Sequence, residues 1–250
     1  MKSPINYYGG KSKLVNRLLP LIPPHNIYVE VFGGAANLLF AKEPSRVEVY
    51  NDIEENVVNF FSVLRDPVAF ARLYFLAMST PYSRQEFYMA RDSFNSEPDN
   101  VVRAWKYLIT SLQSYDANLR TWGLGVGFAI QGIAKGPALW MNGLSHLALA
   151  FERFRRVQIE HSDFERIFSL YDSQETFFYC DPPYIESERR SLGVYLREMD
   201  IEDHKRFLKC VQGIHGKVLI SGYENELYNN ELASWHKKMW KVFSTAGNTN

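Results

Sequence analysis

The sequence predicts an α/β fold, a mostly parallel sheet covered by helices on both faces and carrying a mainly helical insertion. Three observations predict it. Runs of β-branched and aromatic residues, such as Ile27 to Phe32 and Thr176 to Cys180, stop abruptly at glycines or at an acid. Strand-like and helix-like segments alternate at both ends of the chain, whereas Ile53 to Tyr115 keeps a helical pattern for most of its length. Finally, 250 residues with 46% hydrophobic content bury a core without help from disulfides or metal, as one large domain or as one core with an inserted module.

Ser3 to Tyr8 reads as short and partly extended, and Gly9-Gly10 breaks it. Lys11 to Leu19 then places Leu14, Val15, Leu18 and Leu19 at helical spacing and ends near Pro20, with Pro23-Pro24 as a rigid connector. Ile27 to Phe32 is a buried strand closed by Gly33-Gly34, and Ala35 to Lys42 is a helix. Arg46 to Tyr50 alternates Val47 and Val49 with Arg46 and Glu48, a strand that stops at Asn51-Asp52. Prolines at Asp66-Pro67, Thr80-Pro81 and Glu97-Pro98 divide the following stretch into several packed helices. Gly123 to Gly136 holds five glycines and few charges, the composition of a loop or loose hairpin. Leu144 to Phe154 returns to helix, Val157 to Glu160 is a short strand, and Thr176 to Cys180 runs into Asp181-Pro182-Pro183-Tyr184. Asp200 caps a helix from Ile201 to about Gln212 with Asp203 at the box position. Gly213 and Gly216 close it, and Lys217 to Ser221 is the last strand.

Composition excludes several classes. Lys plus Arg (28) balances Asp plus Glu (28), so the chain is not coated in positive charge. Cys180 and Cys210 make no disulfide framework, and neither has a zinc-ligand spacing, so no metal is expected. Apolar runs fall far short of the roughly 20 residues of a membrane helix, and no signal-like segment opens the chain. A cytoplasmic protein without a membrane partner is expected.

In parallel sheets ligands bind beyond the carboxyl ends of the strands, and three unusual clusters occupy such ends. They are Tyr7-Tyr8-Gly9-Gly10-Lys11, Glu30-Val31-Phe32-Gly33-Gly34-Ala35 and Asp181-Pro182-Pro183-Tyr184. The glycines after Phe32 allow a tight turn and close backbone approach, and Asp52, at the end of the next strand, is placed to accept ribose hydroxyls. Taken alone, each of these also serves as ordinary turn chemistry. Because Gly33-Gly34-Ala35-Ala36 has no third glycine and no Walker lysine follows, adenosine without a pyrophosphate fits better than a dinucleotide. In Asp181-Pro182-Pro183-Tyr184 two prolines remove two donors and fix φ, leaving oxygen acceptors in a rigid turn. Acceptors so held suit an exocyclic amino group, and Tyr184 offers a ring on which a base can stack.

In this combination the chain resembles the Dam-type (D12 class) DNA adenine-N6 methyltransferases. The resemblance rests on Tyr7-Tyr8-Gly9-Gly10-Lys11, Glu30 to Ala35, Asn51-Asp52-Ile53, Asp163-Phe164, the intact Asp181-Pro182-Pro183-Tyr184, Tyr195 and Asp203-His204. It implies a Rossmann-like catalytic domain, residues 1–55 and 156–250, around a target-recognition domain, residues 56–155. It also implies S-adenosyl-L-methionine as cofactor and double-stranded DNA as partner, with a flipped adenine methylated at N6. Asp181, Pro182 and Tyr184 are the implied catalytic residues. Tyr7, Lys11, Glu30, Phe32, Gly33, Gly34, Asp52, Asp163, Phe164 and Asp181 are the implied cofactor residues, with Phe164 against the cofactor adenine. His204 is read as a helix-surface residue without a proton-transfer role. The acceptor turn alone also admits RNA adenine, cytosine N4, or a catalytically idle DNA-binding homologue.

The resemblance puts DNA contacts in the middle of the chain. Between Val101 and Arg156 seven cations face two anions, a local +5 in a neutral chain. Asn118, Arg120 and Lys135 are the expected DNA-binding residues, and Gln113, Ser114 and Gln131 are further candidates for base or phosphate contacts. The polar segment of family members that read GATC is not found in Arg120 to Gly136, so the resemblance does not extend to that recognition sequence.

Overall fold

The computed structural model describes residues 1–7, 9–125, 127–128, 132–185 and 199–240. Tyr8, Gln131 and Tyr195 lie outside the described residues. Five strands form an all-parallel sheet: β1 (Ile27–Glu30), β2 (Val47–Asn51), β3 (Gln158–Glu160), β4 (Thr176–Cys180) and β5 (Lys217–Ile220). Their spatial order is β3-β2-β1-β4-β5, with Glu30 of β1 opposite Tyr50 on one side and Tyr179 on the other. The winding direction therefore reverses between β1 and β4, which opens a crevice beyond their carboxyl ends.

Side-chain alternation sends Tyr28, Tyr50, Phe177 and Tyr179 into one core and Val29, Val49, Phe178 and Cys180 into another, so both sheet faces are covered. The second core is closed by α9 (Phe164–Tyr171), α10 (Ile201–Gly213) and α11 (Glu226–Glu231). The first lies under α1 (Val15–Leu18) and α2 (Asn37–Ala41) and extends into a helical group. That group is α3 (Glu55–Arg65), α4 (Pro67–Met78), α5 (Arg84–Ser93), α6 (Asn100–Gln113), α7 (Lys135–Ser145) and α8 (Leu147–Phe154). The two meet through aromatic rings: Phe61 of α3 stacks on Phe154 of α8 at 4.3 Å, and Tyr50 of β2 packs its edge on Phe61 at 4.8 Å. Among the described residues no helix is long and apolar enough to cross a membrane.

The strands, the proline-delimited helices and the Asp200–Asp203 capping box stand as expected. The departures have local causes. Ala36 takes a left-handed conformation (φ 53°) and its N–H closes a turn onto Gly33 O, so α2 begins only at Asn37. The Leu144 to Phe154 helix is interrupted at His146, and α7 reaches back to Lys135, inside the glycine-rich stretch. Among its described residues that stretch carries an antiparallel bridge, Phe128 to Ala134, and packs Gly136 closely: a Cβ there would lie 2.6 Å from the Tyr82 ring. α9 and α11 come in addition to the elements expected from sequence, α9 with Phe164, Ile167, Phe168 and Tyr171 at helical spacing.

Candidate active site

Because β1 and β4 are neighbours in register, the residues after Glu30 and after Cys180 are bound to meet. Here they line a solvent-open cleft of about 670 Å³, open mouth included, together with Tyr7, Gly9 to Lys11 and the Asp52 to Glu54 segment. Gly33 is required by packing. A Cβ there would sit 2.2 Å from the ring of Tyr50, which is itself fully buried and donates its hydroxyl to Gly34 O at 2.8 Å. Gly34 adopts φ +46°, against the ring of Tyr7, and its N–H donates to Asp52 Oδ2 at 2.7 Å. Asp52 Oδ1 accepts from Glu54 N at 2.9 Å, so the carboxylate pins the turn after β1 to the turn after β2. Burial pushes the Asp52 carboxyl up to about 6 against those two donors.

Glu30 is 1% exposed and lines the cleft floor. Its Oε1 accepts from the Tyr28 hydroxyl at 2.7 Å and from Leu39 N at 2.8 Å, while Oε2 has no partner among the described residues. Burial outweighs both hydrogen bonds and pushes its carboxyl up to about 7. A buried acceptor left unsatisfied beside a cleft is a place for a ligand's donor.

Asp181 stands one residue past β4. Lys11 Nζ donates to both of its oxygens, at 2.6 and 2.7 Å, and also to Gly9 O at 3.2 Å. The same ammonium lies over the Tyr184 ring, 4.7 Å from its centroid, and Tyr223 meets Tyr184 edge-on at 4.6 Å. Burial raises the Tyr184 hydroxyl pKa, with the Asp181 charge adding to it, so this ring is a neutral surface. Pro183 borders both the main cleft and a smaller hollow of about 280 Å³, which Pro182 and Tyr184 line with Tyr223 and Tyr228.

The structure thus brings together Tyr7, Lys11, Glu30, Phe32, Gly33, Gly34, Asp52 and Asp181 in one cleft. Asp163 and Phe164 are not among its lining residues. Asp163 caps α9 through Glu165 N and pairs with Arg206 at 3.3 Å, and Phe164 is 5% exposed, 6.0 Å from Phe32, with Arg206 over its ring. Asn118, Arg120 and Lys135 lie outside the cleft, between α6 and the start of α7. Asn118 Oδ1 accepts from Arg120 N and Thr121 N in an Asx turn, and Arg120 and Lys135 are exposed.

Two expectations need correction. Gln113 is fully buried, its amide accepting from Ser83 N and donating to Pro81 O, so it faces no nucleic acid. His204 is not a surface residue: it is 1% exposed and hydrogen-bonded to the Tyr228 hydroxyl at 2.9 Å. Sequence reasoning missed Asn37, Glu54, Tyr179, Ser221 and Tyr223. Only the position of the last two, at and just past the end of the strand predicted over Lys217 to Ser221, pointed to the site.

Residues 7–244 match the family described as D12 class N6 adenine-specific DNA methyltransferase. The chain is similar to the type II methyltransferase M.FokI of Planomicrobium okeanokoites, with 24% identity over 95% of the chain and 38% of that protein. It is also similar to the type II methyltransferase M.MjaIII of Methanocaldococcus jannaschii, with 24% identity over 80% of the chain and 74% of that protein. The modification methylase LlaI of Lactococcus lactis subsp. lactis shows 23% identity over 87% of the chain and 38% of its own length. The chain therefore spans well under half the length of two of these relatives.

Proposed function

Because the chain belongs to the D12 class of N6 adenine-specific DNA methyltransferases, we propose that it transfers a methyl group from S-adenosyl-L-methionine to the N6 amino group of an adenine flipped out of double-stranded DNA. The observation that carries this reading is the position of Asp181: a carboxylate at the switch point of the sheet, ion-paired to Lys11 and facing the same cleft as the glycine turn and Asp52. Its similarity to two type II methyltransferases and a modification methylase supports a modification enzyme of a type II restriction-modification system.

The residues present fit the cofactor. Glu30 Oε2, buried and unpartnered among the described residues, is an acceptor for an ammonium group. Gly33 and Gly34 let backbone approach the ligand under Tyr7, and Asp52 stands where ribose hydroxyls are accepted. Phe32 lines the cleft as well, with Phe164 packed against it. When bound, the cofactor supplies an electrophilic sulfonium methyl.

The work of the chain is positioning. Asp181 accepts a hydrogen bond from the adenine amino group and so keeps electron density on that nitrogen, while Tyr184 stacks on the extruded base. In this state the Lys11 ammonium covers a face of Tyr184, so stacking on that face requires the ammonium to move aside. Residues 1–55 and 156–250 form the catalytic part. Residues 56–155, with Asn118, Arg120 and Lys135, form the target-recognition part.

The test is methyl transfer from labelled S-adenosylmethionine to duplex DNA, followed by mass spectrometry of the nucleosides. N6-methyladenine is expected, with Asp181→Ala folded and at least about 100-fold slower. N4-methylcytosine, label in RNA alone, or no transfer at all overturns the reading.

A further inference from the structure

Ser221, the first residue past β5, is not among the site residues expected from the sequence. β4 and β5 run in register with Cys180 opposite Ile220, and Ser221 N donates to Cys180 O at 2.9 Å. The backbone pairing thereby carries Ser221 alongside Asp181, and its Oγ donates to Asp181 Oδ1 at 2.8 Å. On the other side, Ser221 Oγ lies 3.1 Å from the hydroxyl of Tyr179, a residue of β4 that is 4% exposed.

The direction of this chain follows from proton counting. An ion-paired carboxylate has no proton to give, so the one hydroxyl hydrogen of Ser221 goes to Asp181. Tyr179 must then be the donor to Ser221. Burial raises the Tyr179 hydroxyl pKa, and the charge of Asp181 raises it further, so the phenol remains a donor. Two neutral hydroxyls thus point their dipoles in series at one oxygen of the carboxylate.

Lone-pair counting gives the consequence. A carboxylate oxygen accepts about two hydrogen bonds. Among the described residues Oδ1 receives Lys11 and Ser221, which fill it, whereas Oδ2 receives Lys11 and retains one acceptor position. We propose that Ser221, backed by Tyr179, is a positioning residue: it locks the Asp181 carboxylate in one rotation and leaves Oδ2 as the oxygen that receives the amino group of the substrate base.

This role rests on the methyl-transfer reading above, and the experiment separates the two. Steady-state transfer to duplex DNA is measured for the unmodified protein, Ser221→Ala, Ser221→Thr, Tyr179→Phe and the double variant Ser221→Ala with Tyr179→Phe, with cofactor affinity measured by calorimetry. Ser221→Ala lowers kcat about 10- to 100-fold while the cofactor Kd changes less than about threefold, because the carboxylate is misaimed but the cleft persists. Ser221→Thr, which keeps the hydroxyl, restores most of the rate. Tyr179→Phe costs less than Ser221→Ala and adds nothing in the Ser221→Ala background, since its hydroxyl acts only through Ser221. A kcat within twofold of the unmodified protein in Ser221→Ala overturns the inference. So does a kcat loss matched by an equal loss of cofactor affinity, or additive effects in the double variant. Absence of transfer by the unmodified protein overturns the activity itself, and the role of Ser221 falls with it. Should Ser221→Ala fail to fold, Ser221→Cys, of similar shape but a weaker donor, is expected to show the same kcat loss at unchanged cofactor affinity.

Discussion

Glu30 concentrates the electrostatics of the cleft in one side chain. It is fully enclosed, its first oxygen is satisfied by Tyr28 and Leu39, and its second waits at the cleft floor. A carboxyl pushed up to about 7 by burial binds its proton more tightly folded than unfolded. Its stabilising effect is therefore fully present below the unfolded value near 4.5 and is lost as pH rises through about 7, an amount of about 3 kcal/mol. Asp52, raised to about 6 by burial, adds a loss of the same sign. Thermal denaturation of the ligand-free protein is expected to show a falling Tm between about pH 4.5 and 8, and Glu30→Gln is expected to flatten most of that fall. An unchanged slope in the variant would place the titration elsewhere. At this scale the sequence was legible where a residue's type and its neighbours in the chain determine its role. Lys11, Gly33, Gly34, Asp52 and Asp181 needed only strand ends to bring them together. Glu30 was legible as a site residue, but its perturbed titration was not, since that arises from desolvation by residues distant in sequence. Gln113 misled for the opposite reason: a polar side chain at a helix end reads as solvent-facing, and only the fold shows both ends of its amide engaged.

Among the elements, α8 has an attachment that binary patterning hides. Arg153 reads as a cation in a basic stretch, yet it is 9% exposed and donates through both terminal nitrogens to Glu48 near the start of β2, and to Leu39 O at 2.9 Å. Lys42 shares the same carboxylate at 2.6 Å, and these two cations hold the Glu48 carboxyl below its ordinary range despite burial. Three elements, α2, β2 and α8, are thus tied together through Glu48. Removing one partner leaves a buried charge undercompensated. Arg153→Ala is expected to cost about 3 to 5 kcal/mol in chemical denaturation. Because Glu48 lies at the opposite end of β2 from Asp52, cofactor affinity measured below the lowered transition is expected to change little. The element boundaries that sequence pattern missed have separate causes. α2 starts late because Ala36 is spent on the left-handed turn that aims Gly34 at Asp52, so a residue of high helix propensity is withdrawn by tertiary geometry. α9 is two turns long, too short for periodicity to separate it from loop.

For the molecule as a whole, the local +5 between Val101 and Arg156 is partly neutralised in space. Arg103 pairs with Glu55, Lys106 with Glu97 and Arg153 with Glu48, all acids outside that stretch. A charge count along the chain cannot see these pairings, because loops that return helices to one another bring in carboxylates from other segments. The same interleaving governs cooperativity. Tyr28, Phe40 and Tyr50 from the sheet side share one apolar core with Phe61, Leu64, Leu108 and Phe154 from the helical stretch. The division at residues 55 and 155 proposed for catalysis and recognition is therefore a division of roles laid over a shared interior. Excised, residues 56–155 would leave Phe61 and Phe154 without Tyr50 and Phe40, losing aromatic packing worth several kcal/mol in a unit whose stability is of the same order. Calorimetry of the intact chain is expected to show a single transition with equal calorimetric and van't Hoff enthalpies. The fragment 56–155 expressed alone is expected to lack near-ultraviolet circular dichroism and a cooperative melt. Two resolved transitions, or a fragment that melts cooperatively by itself, would mean that the helical stretch is stabilised by its own contacts and that the ring cluster around Phe61 merely docks it.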